Sequence, residues 1–120
     1  MINYDARWFS PFGGPAGEQG RIAVYRQRGD LLWGEFAGGD ARRGALTGRV
    51  DQKGHLEFGY CVVLVDGAVI SGRCRSVPEV LPDGRIRLHE TWERFGADAA
   101  TGTSCIEEIP APEKAPKEIR

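Results

Sequence analysis

The residue whose type and position most clearly suggest chemistry is Glu90. Its neighbours at every second position, Ile86, Leu88 and Trp92, are apolar, and residues two apart on a β-strand face the same side. Glu90 is therefore predicted to face an apolar interior. A carboxyl group in such a place must be neutral, hydrogen-bonded or paired, and burial raises its pKa. It can anchor a polar ligand or serve as a general acid or base.

A hairpin that turns at Pro82-Asp83-Gly84 predicts what lies opposite Glu90. Proline, aspartate and glycine in this order suit a three-residue hairpin loop with glycine in the left-handed conformation. Counting back from the loop pairs Ser76 with Glu90 and Cys74 with Trp92. The same register pairs opposite charges on the other face, so two independent patterns support it.

A second hairpin turns at Val65-Asp66-Gly67. A three-residue loop pairs Val62 with Ile70 and Tyr60 with Gly72, whereas a two-residue loop would set an apolar row beside a polar one. The three-residue loop is therefore predicted. Together the two registers predict a ligand-binding set of Glu90, Ser76, Tyr60, Trp92 and Cys74.

The same residues allow other roles. Glu90 can accept hydrogen bonds from Ser76, Tyr60 or Arg94 and only tether the strands, or it can act as the acid or base of a small enzyme. Cys74 has aromatic neighbours that raise a thiol pKa, which is typical of an inert core residue. The tryptophans are expected to pack in the core or to form the walls of a site.

The remaining ionisable groups do not form a catalytic pattern. Glu107 and Glu108 are adjacent on a strand, so only one faces inward, and Glu108 shares the parity of Ser104. His55 falls at a turn and His89 on the outward row. Phosphate loops, zinc-ligand spacings and dinucleotide fingerprints are absent from the sequence, so no metal and no cofactor are expected.

The elements that must position these groups are β-strands, because glycine-centred turns divide the chain into short alternating runs. No segment has helical periodicity, so little or no helix is expected. The predicted fold class is all-β: an antiparallel up-and-down meander of about eight strands that closes into a small barrel. The predicted strands are 4–9, 21–27, 31–37, 43–50, 55–65, 69–80, 85–95 and 102–109.

The two faces of the predicted sheet differ in composition. The inward row is mostly apolar, and the outward row is an arginine ladder neutralised by glutamates. Glycines inside the strands suggest bulges and tight curvature, or room for a ligand beside the backbone. The inward residues are Leu56, Phe58, Tyr60, Val62, Leu64, Ile70, Cys74, Ile86, Leu88 and Trp92; the outward ones are Arg73, Arg75, Arg85, Arg87, Glu57 and Glu93; the glycines are Gly34, Gly44, Gly48, Gly59 and Gly72.

Composition sets the broad class. With 120 residues and 41% hydrophobic content, the chain suits a single domain over 1–109, followed by a Pro/Lys/Glu-rich tail at 110–120 that is expected to be flexible or to lie as a surface strap. A formal net charge of −1 argues against nucleic-acid or anionic-membrane partners. Three cysteines without Cys-x-x-Cys spacing, and no signal-peptide or membrane-span pattern, favour a soluble cytoplasmic protein.

One group of motifs consists of Gly44-Ala45-Leu46-Thr47-Gly48-Arg49-Val50-Asp51, Gly54-His55-Leu56, Tyr60, Gly72, Cys74, Ser76, Pro78-Glu79, Asp83-Gly84-Arg85-Ile86-Arg87-Leu88-His89-Glu90, Trp92, Gly102, Ser104 and Glu107-Glu108. These motifs resemble a family of short bacterial proteins commonly labelled N-acetylglutamate synthase. The resemblance covers about 30–109 and implies a small lipocalin-like or calycin-like barrel. The acetyl transfer that the label names is not expected, since the sequence lacks a phosphate loop opening a helix.

The sequence therefore predicts a barrel that binds a small, partly apolar molecule. One alternative is an enzyme that uses Glu90. The other is a structural module with a filled core, which forms a homodimer through an outer face that includes Val63, Val65 and Val69.

Overall fold

A computed structural model describes residues 2–120 and confirms the predicted fold class. Eight antiparallel strands follow one another around a closed barrel, and β1 pairs with β8 to complete it. The strands are β1 (Arg7–Pro11), β2 (Ile22–Arg28), β3 (Leu31–Gly38), β4 (Ala41–Val50), β5 (Leu56–Leu64), β6 (Val69–Val80), β7 (Ile86–Arg94) and β8 (Ala100–Ile109). Single-turn 3₁₀ helices lie at Ala16–Glu18, Gly96–Asp98 and Lys117–Ile119.

The first strand differs most from its prediction. It begins at Arg7 rather than at residue 4, because Ala6 has a φ of 61°, which interrupts the extended backbone. Tyr4 is consequently turned into the end of the barrel, where it is completely buried. The last strand begins at Ala100, two residues earlier than predicted.

Both predicted hairpin registers are confirmed. Ser76 lies opposite Glu90 and Cys74 lies opposite Trp92 across β6 and β7. Tyr60 lies opposite Gly72 across β5 and β6. The rows predicted to face inward therefore do so.

The outer surface carries the predicted Arg73–Glu93 pair and further ion pairs. Arg73 contacts Glu93 at 2.9 Å, and Glu57 contacts both Arg75 at 3.5 Å and Arg49 at 3.9 Å. Their side chains are largely exposed, so each pair contributes little to stability. The arginine ladder is thus a solvated row with its charges compensated.

One end of the barrel is filled with side chains and is called the closed end. It contains the turns at 29–30, 51–55 and 81–85 and the start of the chain. Tyr4 donates a hydrogen bond from its hydroxyl to the carbonyl of Gly54 at 2.6 Å. Leu32 and Leu88 beside it have no exposed surface. The apolar ring of residues at this end seals it.

The other end, called the open end, carries the connections 12–21, 39–40, 65–68 and 95–99. The longest of these, 12–21, folds against the β3–β4 hairpin, where the Asp40 backbone N–H donates to the carbonyl of Gly17 at 2.8 Å. A register shift between Phe36 and Gly38 marks a bulge at the same place. These features shape the rim of the barrel.

The C-terminal tail lies near the outside of β3 and β4. Ile119 is buried, and the Arg43 side chain donates to the backbone carbonyl of Glu118 at 3.3 Å. Whether this segment is flexible in solution stays a prediction.

Candidate functional site

A cavity of about 180 Å³ opens at the open end of the barrel. Its wall combines aromatic rings, aliphatic side chains and a few polar groups from the strands, with further residues from the 12–21 connection. It is lined by Phe9, Ser10, Pro11, Glu18, Arg21, Ala23, Tyr25, Phe36, Asp40, Leu46, Phe58, Tyr60, Val62, Leu64, Ile70, Cys74, Glu90, Trp92, Arg94, Ser104, Cys105 and Ile106. Pockets for drug-sized ligands usually measure roughly 300–1,000 Å³, so this cavity suits a smaller molecule or part of a larger one.

Three aromatic residues of this wall are each paired with a glycine on the next strand. Phe36 lies opposite Gly44 in the β3–β4 ladder, and Trp92 lies opposite Gly102 in the β7–β8 ladder. A Cβ added at either glycine would overlap atoms of the facing ring. Each ring therefore occupies the place of the missing side chain and lies against the wall.

Tyr60 follows the same rule, since a Cβ on Gly72 would overlap its phenol ring. This explains the glycines inside the strands better than curvature alone. Gly59 differs from them, because it faces outward and a Cβ there would meet only the carbonyl oxygen of Gly72, at 3.8 Å. Gly44, Gly72 and Gly102 thus let large rings fold back, which leaves space at the open end of the barrel.

Glu90 lies in the wall of this cavity, inside the barrel but in contact with the open space. Ser104 donates to its Oε1 at 3.1 Å, and the Cys74 thiol donates to its Oε2 at 3.6 Å. Burial raises the pKa of Glu90, and these hydrogen bonds oppose the rise. The negative charge of Glu18 raises it further. Glu90 therefore keeps its proton to a higher pH than an exposed glutamate does.

Ser76 does not line the cavity, although it lies opposite Glu90 as predicted. It is 1% exposed and sits behind the wall, where its Oγ is 3.8 Å from the Cys74 Sγ. The prediction that Ser76 contacts a ligand is therefore not supported by its position. The residue that faces the cavity beside Glu90 is Ser104, across the β7–β8 ladder.

Cys74 is a poor nucleophile in this setting. Burial raises its thiol pKa, and the nearby Glu90 raises it further. The thiolate that reacts with electrophiles is thus disfavoured. Cys61 and Cys105 are also free thiols, exposed and half-buried respectively.

Two tyrosines complete the polar part of the wall. Burial raises the pKa of Tyr25, and the charge of Glu90 adds to the effect. Burial also raises the pKa of Tyr60, while the positive charge of Arg94 opposes the rise. Both phenols stay protonated at neutral pH and can donate hydrogen bonds.

Two guanidinium groups line the mouth of the cavity. Arg21 forms an ion pair with Asp40 at 2.6 Å and lies over the Phe36 ring, 5.7 Å from its centroid. Arg94 lies 5.9 Å from the centroid of the Trp92 ring. The Nε atoms of both arginines are buried and have no hydrogen-bond partner among residues 2–120.

The other predicted chemical groups lie elsewhere. Glu108 accepts hydrogen bonds from Arg7 and from the backbone N–H of Ile86 at the closed end. It does not line the cavity that contains Glu90. Glu107 is bound to Arg85 and Arg87, which lower its pKa.

Neither histidine lines the cavity. His89 faces outward and contacts Glu79 at 2.8 Å. Within residues 2–120 no group of three or more His, Cys, Asp or Glu side chains is placed to hold a metal ion. Over the same residues, no helix has the length and apolar character needed to cross a membrane.

Sequence reasoning missed several residues of the cavity, among them Ser104 as the partner of Glu90. Alternation along β8 places Ser104 on the same face as Ile106, and this pattern is sufficient to predict that Ser104 faces inward. The sequence did not predict which residue of β7 lies opposite Ser104, because the 95–99 connection has no turn type that fixes the register of β8 against β7. Phe9, Phe36 and Arg21 belong to β1, β3 and the 12–21 connection, where no turn signal fixes which residues lie opposite one another.

The comparisons with known proteins assign the family. No curated protein shows significant similarity to the chain. The family model described as "Avidin-like protein" matches residues 2–109, which is the whole barrel without the tail. Synthase activity, as in the label of the resembling proteins, is not shown by this match. The closed eight-stranded barrel agrees with the match, and the chain belongs to the avidin-like family.

Proposed function

We propose that the protein binds a small organic molecule reversibly in the cavity at the open end of the barrel. The observation that carries the proposal is a space bounded by glycine-backed aromatic rings, with Glu90 and Ser104 as a hydrogen-bonded pair in its wall. Rings of this kind offer apolar contact, and a few fixed polar groups orient a ligand. Membership of the avidin-like family supports small-molecule binding.

The polar pair favours a ligand with an uncharged hydrogen-bonding group, such as an amide or a urea. Glu90 in its acid form presents one O–H donor and acceptor oxygens, and Ser104 can both donate and accept. Tyr25 and Tyr60 add hydroxyl groups to the same wall. A buried polar group of the ligand would therefore find partners on several sides.

The first experiment measures thermal shifts of the protein against a metabolite library that contains biotin, its analogues, carboxylic acids, amines and lipids. A ligand that binds only the native state raises the unfolding temperature. We expect a compound that stabilises the wild type and has a much smaller effect on Glu90→Gln. Glu93→Gln on the outer surface is the matched control and should respond like the wild type.

The outcome that contradicts the proposal is equally clear. If no compound stabilises the wild type, and Glu90→Gln melts well below it in the absence of ligand, then Glu90 is a structural tether. The barrel would then be a module that binds nothing in its cavity.

The pH dependence of stability tests the state of Glu90. Its pKa in the folded protein is raised by burial, so its contribution is fully present below the unfolded pKa, about 4.3, and is lost as the pH rises through the folded value. We expect Glu90→Gln to gain stability relative to the wild type between pH 4 and pH 8 in urea unfolding. A constant difference across this range would show that Glu90 ionises as an exposed glutamate does.

Catalysis at Glu90 remains the alternative prediction for the same cavity, and oligomer formation is the alternative for the outer surface. Val65 and Val69 at the tip of the β5–β6 hairpin are 69% and 68% exposed, whereas Val63 is half-buried. The molar mass in solution, measured by light scattering, tests the homodimer.

A further inference from the structure

The tail, residues 110–120, is anchored to the outside of the barrel by one apolar side chain. Its single turn at Lys117–Ile119 lies against β3 and β4, and Ile119 is only 7% exposed. Prolines, alanines and charged residues make up the rest of the tail. A buried isoleucine is therefore the one part of the tail that can contribute substantial apolar contact.

The outer face of β3 and β4 beneath this turn differs from the charged outer rows of β5 and β6. Ala37 and Ala45 face outward, because their neighbours Phe36 and Leu46 line the cavity. Both alanines are small, so they leave room for a side chain that packs on the outside of the sheet. Ala37 is only 1% exposed, which shows that this part of the outer surface is covered.

The tail is held by few polar contacts. Among residues 2–120, one hydrogen bond joins residues 111–120 to the barrel: the Arg43 Nε–H donates to the backbone carbonyl of Glu118 at 3.3 Å. This distance lies at the long end for such a bond. The backbone N–H of Ile119 donates to the carbonyl of Pro116 within the tail. The turn is thus folded on itself, and an apolar anchor and one long hydrogen bond attach it.

We propose that this outer surface, called the β3–β4 face, is a docking site for a segment of a different protein, and that the tail occupies it as an internal competitor. The face is formed around Ala37, Ala45 and Arg43. The chemistry of the tail seated there defines the partner: a short proline-rich segment that presents one aliphatic anchor in a single turn. The β3–β4 face lies outside the barrel, so the proposal does not depend on what binds in the cavity.

A second copy of this chain is a poorer occupant than a different protein. Its tail would make the same contacts as the chain's own tail, but it would also lose translational and rotational freedom. A short tether gives the chain's own tail an effective concentration in the millimolar range. Exchange between copies therefore gains no contact and loses the advantage of the tether. A different segment with a better-fitting anchor can displace the tail.

Fluorescence anisotropy with a labelled synthetic peptide of residues 110–120, blocked at both ends, tests the docking site. The full chain is compared with its Ile119→Asp variant, whose tail cannot keep a charged side chain in an apolar place. We expect the variant to bind the peptide at least about 10-fold more tightly than the wild type, because no tethered segment competes. Val80→Asp, at a site that is 63% exposed on the outer surface, is the matched control and should bind like the wild type.

A peptide that carries Ile119→Asp is the control on the other side of the contact, and it should bind neither protein. The proposal is wrong if the Ile119→Asp chain shows no saturable binding at millimolar peptide, or if the two peptides bind it equally. The tail would then be a strap that only its covalent connection holds in place.

A second measurement needs no variant of the protein. The methyl signals of Ile119 in the carbon-13-labelled wild type are followed by NMR while the unlabelled peptide is added. We expect a saturable shift towards the position of an exposed isoleucine, and no shift with the Ile119→Asp peptide. Methyl signals that stay in place at saturating peptide would overturn the proposal.

Light scattering separates a different protein from a second copy as the occupant. We expect the molar mass of the wild type and of Ile119→Asp to be the same at every protein concentration. A mass that rises with concentration in the wild type and in Val69→Asp, but not in Ile119→Asp, would make the occupant a second copy. That result would overturn the assignment to a different protein.

Discussion

The two ends of the barrel are built from the same eight strands and have opposite properties. At the closed end, Leu32 and Leu88 are fully buried and Tyr4 seals the space with a hydrogen bond to Gly54. At the open end, the inward rings of Phe36 and Trp92 lie on glycines, and a cavity remains. At the open end the rings that lie over glycines leave space beside them, whereas at the closed end the side chains fill the space between the strands.

The contrast also concerns stability and function. A filled core stabilises the fold through dispersion contacts and through burial of apolar surface. Residues that line a cavity lose part of both contributions. The closed end therefore holds the barrel together while the open end stays available for a ligand. Four predictions test this division, and they are ordered by the size of the expected effect.

The largest effect is expected from truncating a core residue at the closed end. Leu88→Ala should lower the free energy of unfolding by about 2–5 kcal/mol, because it removes buried surface and leaves a void. Leu64→Ala at the open end is the matched control, and we expect about 1 kcal/mol, because this side chain is only half-buried and already borders the cavity. Urea unfolding monitored by circular dichroism measures both. Equal losses would show that the ends do not differ in stability.

The next effect concerns the glycines beneath the aromatic rings. Gly102→Ala should cost about 1–3 kcal/mol, because its Cβ overlaps the Trp92 ring and forces it into the cavity. Gly59→Ala meets no atom closer than 3.8 Å and should be neutral or stabilising by up to about 1 kcal/mol. Thermal unfolding gives the two values, and the indole N–H signal of Trp92 reports whether the ring moves. A neutral Gly102→Ala variant with an unmoved ring would contradict this account.

A smaller effect is expected for a single hydroxyl at each end. Tyr4→Phe should cost about 1–2 kcal/mol, because the Gly54 carbonyl loses its partner in a buried place. Tyr60→Phe should cost at most about 0.5 kcal/mol, since its hydroxyl borders the open cavity, whereas that of Tyr4 is enclosed at the closed end. Urea unfolding of the two variants makes the comparison. A larger loss of unfolding free energy for Tyr60→Phe than for Tyr4→Phe would contradict the assignment of the stabilising hydrogen bond to the closed end.

The smallest effect is expected on the outer surface, where the two ends should behave alike. Glu93→Gln removes the contact with Arg73 near the open end, and Glu79→Gln removes the contact with His89 near the closed end. Each should change the free energy of unfolding by less than about 0.5 kcal/mol, because these side chains are well exposed. Unfolding at low and high salt should give nearly the same difference. A loss above about 1 kcal/mol at either site would assign the ladder a structural role.

The sequence predicted more of the scaffold than of the site. Alternation and turn residues gave the β5–β6 and β6–β7 registers correctly, so Glu90, Tyr60, Trp92 and Cys74 were placed on the inward face. The position of Ser76 opposite Glu90 was also right, but its exclusion from the cavity was not foreseen. Lateral pairing follows from register, whereas access to a cavity depends on the packing of residues from other strands.

The glycines show most clearly which features of the structure the sequence does not predict. In a turn, glycine has a local meaning, since Gly67 and Gly84 adopt the positive φ that their hairpin loops require. Inside a strand, the reason for Gly44 or Gly102 is a ring on the neighbouring strand, which the glycine's own surroundings in the sequence do not reveal. The pairing of an aromatic residue with glycine is visible only after the register is known.

By itself, the sequence determined that this chain forms an antiparallel barrel, which residues face inward, and that one inward residue is a carboxylic acid. These properties follow from alternation and turn chemistry, which act between residues close in the chain. Only the tertiary structure decided which end stays open, that Ser104 binds Glu90, and that two arginines whose Nε–H groups have no partner within residues 2–120 line the same cavity. Those outcomes depend on strands distant in sequence coming together when the barrel closes.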